Sequence, residues 1–590
     1  MSSEGAPRVN EMVDSATGRH DTVPAMKRSQ IAIAVLAAIA VGVVALLSSG
    51  GDDGGGGGGD GLSGGGKAPS GALRIPFAYS PEKEKLLVPL IKRFNESGAE
   101  AGGKRVFVQG EVVSSGEAQS KIAAGRLKPV VWSPASSLWG RLLNFDADRP
   151  LAPEDNPSIV RTPLVIAMWE PFARALGWPK KQIGFEQILR LTRSNQGFAA
   201  YGKPQFGAFK LVHTNPDFST SGLEAVVAEY YAATGKKEGL TAKDIAGSRA
   251  RKVVRDIERS IVHYGDTTLF VADQMRKEGP GYASAVAMEE VTLLDFNKNR
   301  RGQPRLVALY PPEGTFYSDN PFIVLDAPWV SKPQREGAKL FREFLAEEVT
   351  PEQAARSGFR PADLKQKPVA PVSKANGVDP AQPKRVLGLP SPRVLNGIKA
   401  AWREDRKPAN VLLVVDTSGS MNDENRLPNA KQGLEAFFRE VSPNDRVGLT
   451  IFSDRIQPLV PIQPFSQNRA KLRSTVRSLI ADGGTAIYDA TIQGYGIVRE
   501  LADRERINAV VLLTDGEDTD SSTSPQEVVR TLSAQGDSES KVRVFTIAYS
   551  AGAEGARETL DSFAKAAGGQ SYEGDTEDIE SVYKSISSFF

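Results

Sequence analysis

Val411-Leu412-Leu413-Val414-Val415-Asp416-Thr417-Ser418-Gly419-Ser420 is an apolar run that stops at a polar loop. Five consecutive aliphatic residues are too few for a helix and suit a strand buried on both faces, as in a parallel sheet. The design recurs where Ala509 to Leu513 runs into Thr514-Asp515-Gly516, and a third polar turn, Gly483-Gly484-Thr485, stands ahead of an amphipathic stretch starting near Ala486. In open α/β sheets, ligands gather outside the carboxyl ends of the strands. Asp416, Ser418, Ser420, Thr485 and Asp515 are therefore expected to meet. Five oxygen donors with neither Cys nor His among them suit a hard cation held octahedrally with waters, Mg²⁺ or a close relative such as Mn²⁺ or Ca²⁺, rather than zinc. The competing reading is that Asp416 and the two serines only cap the following helix, since Asp and Ser are favoured N-caps. The strand-end contexts of Thr485 and Asp515 favour the metal. Glu517, Asp518 and Asp520 read as a solvated loop rather than a second ion site.

Around this site the pattern alternates. Strands are expected over Arg446 to Ser453, Ile456 to Ile462, Asn508 to Thr514 and Lys541 to Ser550. Helices are expected near Leu427 to Glu440, Asn468 to Ile480, Ala486 to Arg504, Pro525 to Ala534 and Ala556 to Ala567. This is a doubly wound, Rossmann-like α/β pattern.

From about Asn410 to the C-terminus the chain resembles a von Willebrand factor A domain, and the five residues resemble its metal-ion-dependent adhesion site, D-x-S-x-S with a distant Thr and Asp. All five positions are filled. The resemblance implies that Ser418 and Ser420 are direct hydroxyl ligands and that Asp416, Thr485 and Asp515 bind directly or through water. Neutral hydroxyls neutralise a cation poorly, so an Asp or Glu carboxylate of a protein partner would be drawn to an open coordination position. The implied chemistry is recognition rather than turnover.

The 590 residues, 40% of them hydrophobic, exceed one ordinary core, so at least two domains are expected. A net charge of only +2, with both signs interspersed, gives no electrostatic footprint for nucleic acid. The absence of cysteine excludes disulfides, thiol catalysis, thiolate metal sites and a lipidated-cysteine anchor.

At the N-terminus, Ile31 to Leu47 contains no polar residue. At ~1.5 Å per residue it reaches about 25 Å and spans a bilayer with Ser48 and Ser49. Arg8, Arg19, Lys27 and Arg28 precede it and only Lys67 follows closely, so the positive-inside rule leaves residues 1–30 as a cytoplasmic tail and puts the rest outside. A cleaved signal peptide is the competing reading; the long leading tail with acidic residues favours an uncleaved single-pass anchor over 31–49 in the cell membrane. Residues 50–70, mostly glycine, read as a flexible tether.

Residues 71–365 form a second expected domain, 366–405 a linker bearing Pro368, Pro371, Pro380, Pro383, Pro390 and Pro392, and 406–590 the A domain. The linker reads as a semi-extended spacer. The region before it opens with a strand, Leu73 to Ala78, a helix, Glu84 to Asn95, a second strand, Arg105 to Val113, and a helix through Ala124, again α/β.

Three passages here, Val113-Ser114-Ser115-Gly116 through Gly125, His213-Thr214-Asn215-Pro216-Asp217-Phe218-Ser219-Thr220-Ser221-Gly222, and Tyr310 to Thr315 with Asp319-Asn320-Pro321-Phe322, resemble the two-lobed extracellular solute-binding proteins of ABC importers, the molybdate- and sulfate-binding group in particular. The tail, Ala338 to Leu345 and Gly358-Phe359-Arg360-Pro361, is also similar. In that family hydroxyls and helix-start N–H groups receive the solute between the lobes, and Ser114, Ser115, Ser219, Thr220 and Ser221 match those positions. A helix N-terminus is a ready anion site. Against a small oxyanion, Ser114 with Glu117 and Ser221 with Glu224 both fit the S-x-x-E capping box, which sets a carboxylate at the positive end of each helix.

An enzyme is not expected. His20, His213 and His263 are the only histidines and none lies in a nucleophile motif such as G-x-S-x-G. Trp132, Trp139, Trp169, Trp178 and Trp329 suit a core or a cleft wall. The leading expectation is a membrane-anchored extracytoplasmic binding protein whose A domain recognises a protein through Mg²⁺. The alternatives are a solute receptor of an ABC-type importer with an accessory A domain, and a scaffold for metal-cofactor insertion.

Overall fold

Three β-sheets organise the residues described in the computed structural model, which are 68–194, 196–534, 540–549, 554–574, 582–583 and 586–589. The first sheet takes β1 (Leu73–Tyr79), β2 (Glu100–Ala101), β3 (Lys104–Val112) and β4 (Val131–Ser133). The second takes β5 (Thr162–Trp169), β6 (Leu211–Thr214), β7 (Ile261–Gly265), β8 (Ala285–Glu289), β9 (Leu306–Leu309) and β10 (Tyr317–Ser318). The chain then returns to the first sheet as β11 (Ile323–Val324), whose pairing with β4 gives the order β11-β4-β1-β3-β2. Two sheets joined by such a returning chain make a two-lobed α/β body. The second sheet runs β10-β5-β8-β6-β7 with β9 also on β5.

The third sheet holds β12 (Ala409–Asp416), β13 (Arg446–Phe452), β14 (Ile456–Pro464), β15 (Ile507–Thr514), β16 (Val542–Tyr549) and β17 (Ser571–Gly574), in the order β14-β13-β12-β15-β16-β17. Every residue of β12 and β15 is buried, because helices cover both faces of these central parallel strands. β12 serves both faces by period two. Val411, Leu413 and Val415 join an apolar cluster that continues into the two lobes, whereas Leu412 and Val414 join a separate cluster with Ile487, Val528 and Phe563. β14 carries Pro458, Pro461 and Pro464, which cannot donate to a ladder, and it sits accordingly at the edge, antiparallel to β13.

Where the sequence reading expects a semi-extended spacer at 366–405, the structure has a packed segment. Val372, Val378 and Leu387 are buried, and Pro392–Asp405 is a helix begun by Ser391, whose Oγ accepts from Val394 N at 3.4 Å. Pro392 stands at a first-turn position, where its missing N–H costs nothing. Val394, Leu395, Ile398, Ala401 and Trp402 recur at helical spacing and are buried. This junction helix touches both lobes. Asn396 Nδ2 donates to Asp146 Oδ1 at 3.1 Å and Lys399 Nζ lies 5.9 Å over the Trp139 ring, both on the first-lobe side. On the second-lobe side, Arg403 forms a two-pronged pair with Asp217 at 2.7 and 3.0 Å, and Asp405 pairs with Arg251 and Arg255. β12 starts four residues after the helix ends.

The domain built on the third sheet also meets the second lobe directly. Lys541 pairs with Glu278 at 2.7 Å, and the Phe589 ring packs 5.7 Å from both His263 and Phe270. His263 is fully buried, bonded through Nδ1 to Tyr282 Oη at 2.9 Å. Burial first, then the charges of Arg543 and Lys541, hold its pKa well below the ordinary value. The native state therefore keeps it neutral while the unfolded chain protonates it, so its contribution is complete above about pH 6.5 and is lost as pH falls below that toward the depressed value. Native wild-type chain is expected to lose about 1 kcal/mol more stability than His263→Phe between pH 6.5 and 5.5, read as the difference in urea midpoints. Parallel midpoints over that interval would contradict it; Tyr282, Glu278, Lys541 and Arg543 are present in both proteins.

Among the described residues no helix is long and apolar enough to cross a membrane. The expected span at 31–49, the tail before it and the tether up to residue 67 lie outside the described residues.

Candidate functional site

Parallel pairing of β12 with β15, in the register Val415↔Leu513, puts the ends of the two strands side by side. Asp416 closes β12 with a fully buried side chain. Its Oδ1 accepts from Ser418 N at 2.7 Å and its Oδ2 from Thr514 Oγ1 at 2.5 Å. Ser418 Oγ lies 3.1 Å from Ser420 Oγ, which in turn donates to Asp515 Oδ1 at 2.8 Å. Four of the five expected residues thus form one hydrogen-bonded chain. The turn of the fifth is drawn to the same loop, because Gly419 N donates to Gly483 O at 3.0 Å. Thr485 N is held by Thr519 Oγ1 and Asp520 Oδ2, each at 2.9 Å. A Cβ on Gly484 would sit 1.8 Å from Asp520 Oδ2, so a larger residue there would push that carboxylate off Thr485 N.

Three contributors escape the sequence reading. Thr514 fixes Asp416, and Asp520, read as part of a solvated loop, anchors the Thr485 turn. Arg426, at the start of the helix Arg426–Glu440, donates from Nη1 to Asp515 Oδ2 at 2.7 Å. Only the neighbourhood of Thr514 and Asp520 to the motif could have signalled them; Arg426 lies in another segment with no local mark.

The donor set fits a hard divalent cation. Burial, reinforced by the nearby charge of Asp515, pushes the Asp416 carboxyl up to about 6 despite the hydrogen bonds it receives. Among the described residues, Arg426 on the far oxygen of Asp515 is the cation paired with these two carboxylates, which leaves negative charge for a metal to balance. Oxygen-only ligation selects Mg²⁺, Mn²⁺ or Ca²⁺ over softer ions.

The cleft between the lobes tells a different story. Ser114, Ser115, Ser219 and Thr220 line a pocket of about 20 Å³, together with Glu82, Asp266 and Glu289. Ser221 does not line it: it is fully buried within the second lobe, 2.9 Å from Thr214 Oγ1. The expected capping boxes do not form either. Ser219, not Ser221, starts the helix Thr220–Thr234, and Glu224 accepts from Ser318 Oγ instead. At the other helix, Ser114 Oγ donates to Glu117 Oε2 at 3.4 Å but caps no backbone N–H, and Glu117 also pairs with Lys121 at 2.7 Å. Packing across the lobes closes the helix start. Gly116 N donates to Phe218 O of the opposite lobe at 2.9 Å, and a Cβ on Gly116 would lie 2.2 Å from Asp217 O. Trp139 Nε1 donates to Thr220 Oγ1 at 2.8 Å, again across the lobes. Burial raises Asp266 to about 6 and Glu289 to about 7. A cleft crowded with carboxyls disfavours an oxyanion.

Residues 410–584 match the family model for the von Willebrand factor type A domain, and residues 75–360 match the model for the bacterial extracellular solute-binding protein. Two sequences described as uncharacterized proteins of Mycobacterium tuberculosis are each 24% identical over 460 residues, 75% of this chain and 64% of their own length. The chain thus spans less than two thirds of these relatives. Human inter-alpha-trypsin inhibitor heavy chain H4 is 30% identical over 128 residues, 20% of this chain and 14% of that protein. Among solved structures, a von Willebrand factor type A protein from Catenulispora acidiphila aligns over 31% of this chain and 42% of its own at 20% identity, with a TM-score of 0.27. A periplasmic thiamin binding protein aligns over 57% of this chain and 97% of its own at 9% identity, with a TM-score of 0.40.

Proposed function

We propose that this chain, in which a bacterial solute-binding-type domain precedes a von Willebrand factor type A domain, is a membrane-anchored extracytoplasmic binding protein whose A domain recognises a protein partner through a divalent cation, Mg²⁺ foremost. The observation that carries the reading is the continuous chain Asp416–Ser418–Ser420–Asp515 at the carboxyl ends of β12 and β15, with the Thr485 turn drawn onto it. A cation held there offers a coordination position to an Asp or Glu carboxylate of the partner. Asp416 is oriented by two donors, Ser418 and Ser420 present hydroxyls, and Arg426 occupies one oxygen of Asp515 while leaving the other toward Ser420. Anchoring rests on the apolar run Ile31 to Leu47 and the basic residues ahead of it. The chain acts in this reading by binding, not by turnover.

Thr485→Ala tests the reading on intact cells displaying the full chain. Removing one hydroxyl at a loop end is expected to weaken capture of the surface partner about tenfold or more, the scale of lost metal-site groups. Stability should change by less than about 1 kcal/mol. Unchanged capture would contradict a coordinating role, and absence of capture by intact wild-type cells that reappears on lysis would contradict the outward orientation.

A second reading, solute receptor, is favoured by the hydroxyl-lined cleft. Its carboxyls make a cationic solute the compatible class, and the cross-lobe contacts of Gly116 and Trp139 would have to open first.

A further inference from the structure

We infer that His213, Glu229 and Glu258 form a second metal site, a buried one in the second lobe, which takes one divalent transition-metal ion of the zinc class. It is separate from the strand-end loop of the A domain and does not depend on it. His213 belongs to β6, Glu229 to the helix Thr220–Thr234 and Glu258 to the end of the helix Ser248–Glu258. One ligand atom from each lies within 4.8 Å of the others, and all three residues are buried.

The imidazole is oriented as a ligand. His213 Nδ1 lies 2.7 Å from Thr214 O, which accepts its proton, and Nε2 lies 3.0 Å from Glu258 Oε1, so that a proton joins these two atoms in the metal-free protein and a metal ion would take its place. A backbone carbonyl on the remote ring nitrogen is the usual outer partner of a metal-binding histidine. Glu258 has an outer partner too, since Tyr264 Oη donates to its Oε2 at 2.5 Å.

The carboxylates are in excess. Two buried acids face one imidazole, and Glu229 Oε2 is buried without a hydrogen-bond partner. An orphaned buried carboxyl oxygen calls for an explanation in a native fold. A divalent ion with a neutral histidine and two carboxylates balances the charge. His213 and Glu229 also border a largely apolar cavity of about 20 Å³ that Thr315 lines as well, a space on the scale of one water. One nitrogen and two carboxylate oxygens match zinc, which takes such mixed sets, better than Mg²⁺, which requires oxygen.

The placement gives the ion a structural task. Tyr264 accepts at its hydroxyl from Lys407 N at 3.1 Å and packs edge-on against Trp402 of the junction helix at 5.3 Å. A metal held by His213 and Glu258 would stiffen the wall against which the junction helix and the start of the A domain rest.

The test uses full-length chain carrying Asp416→Ala, so that the strand-end site contributes nothing. After equilibration with Zn²⁺ and removal of free ion, elemental analysis is expected to find about one zinc per chain. Adding Glu229→Gln, which keeps the shape and removes the charge, is expected to cut the retained zinc at least tenfold, as loss of a ligand must exceed the roughly 10–100-fold effect of an outer-shell partner. Because that variant could fold poorly, Co²⁺ is also titrated into the Asp416→Ala chain with the cluster intact. Visible d–d absorption saturating at one equivalent supports the site. A folded Asp416→Ala chain that retains no zinc and shows no Co²⁺ spectrum overturns it, and so does undiminished zinc in folded Glu229→Gln protein. Either negative result would mean that a proton, not a metal, balances the cluster.

Discussion

Asp416→Ala is expected to remove the Mg²⁺ binding proposed at the strand-end loop: titration calorimetry of the full chain should lose the saturable Mg²⁺ heat of the wild type, while far-ultraviolet circular dichroism is unchanged. The size follows from the position. Asp416 is the residue at which β12 meets the loop, and its two oxygens orient Ser418 through a backbone bond and Thr514 through a hydroxyl. Loss of a residue so central should exceed the roughly 10–100-fold loss in affinity caused by outer-shell changes. The fold should survive, because β12 is held by pairing along its whole length with β13 and β15. Two donors lose their acceptor, at about 1–3 kcal/mol for a buried unpaired group. Removing a carboxyl that burial disfavours offsets part of that. Asp416→Asn, which keeps an acceptor oxygen, should lose the metal equally with a smaller effect on stability. Wild-type affinity in both variants would put the metal elsewhere.

Arg360→Met is expected to have the largest effect on stability, about 3–5 kcal/mol, the cost of leaving one partner of a buried ion pair alone. Arg360 Nε and Nη2 donate to the two oxygens of Glu290 at 2.8 and 2.6 Å, and both side chains are almost completely buried. Nη2 also donates to Asp379 O at 3.2 Å and Nη1 to Gln382 O, so the same guanidinium fastens the segment after the lobes onto the second lobe. Tyr310 Oη donates to Glu290 as well. With Arg360 gone, Glu290 would stay buried with only the tyrosine. The double variant Arg360→Met with Glu290→Gln should be less destabilised than the sum of the two single changes, since it leaves no unpaired charge. Urea unfolding of the four proteins measures the coupling, and simple additivity would show that the pair carries no such interaction.

The central strands were legible because their burial is written locally: the runs ending at Asp416 and Thr514 are apolar at every position, and both are buried throughout. β14 could be read as a strand, and its prolines explain the edge position. β2, β10 and β11, of two residues each, are too short to carry a period, and the return of β11 to the first sheet depends on a partner far away in the chain. The prolines of 366–405 suggested extension, although Ser391-Pro392 followed by apolar residues at helical spacing was itself a helix-start signal. At the site, the loop motif named its own residues, but Arg426 could be found only in three dimensions. In the cleft, matching hydroxyls were visible in sequence, whereas the closure by Gly116, Trp139 and Phe218 depends on contacts between lobes. Trp132, Trp139 and Trp169 prove to be core.

The measurement closest to the central claim is capture of the surface partner by the full chain on intact cells, with and without chelator. Capture is expected to vanish in excess EDTA, to return with Mg²⁺ or Mn²⁺, and to be lost when one Asp or Glu of the partner is neutralised. Capture that persists in excess EDTA would contradict recognition through a cation at Asp416, Ser418, Ser420, Thr485 and Asp515.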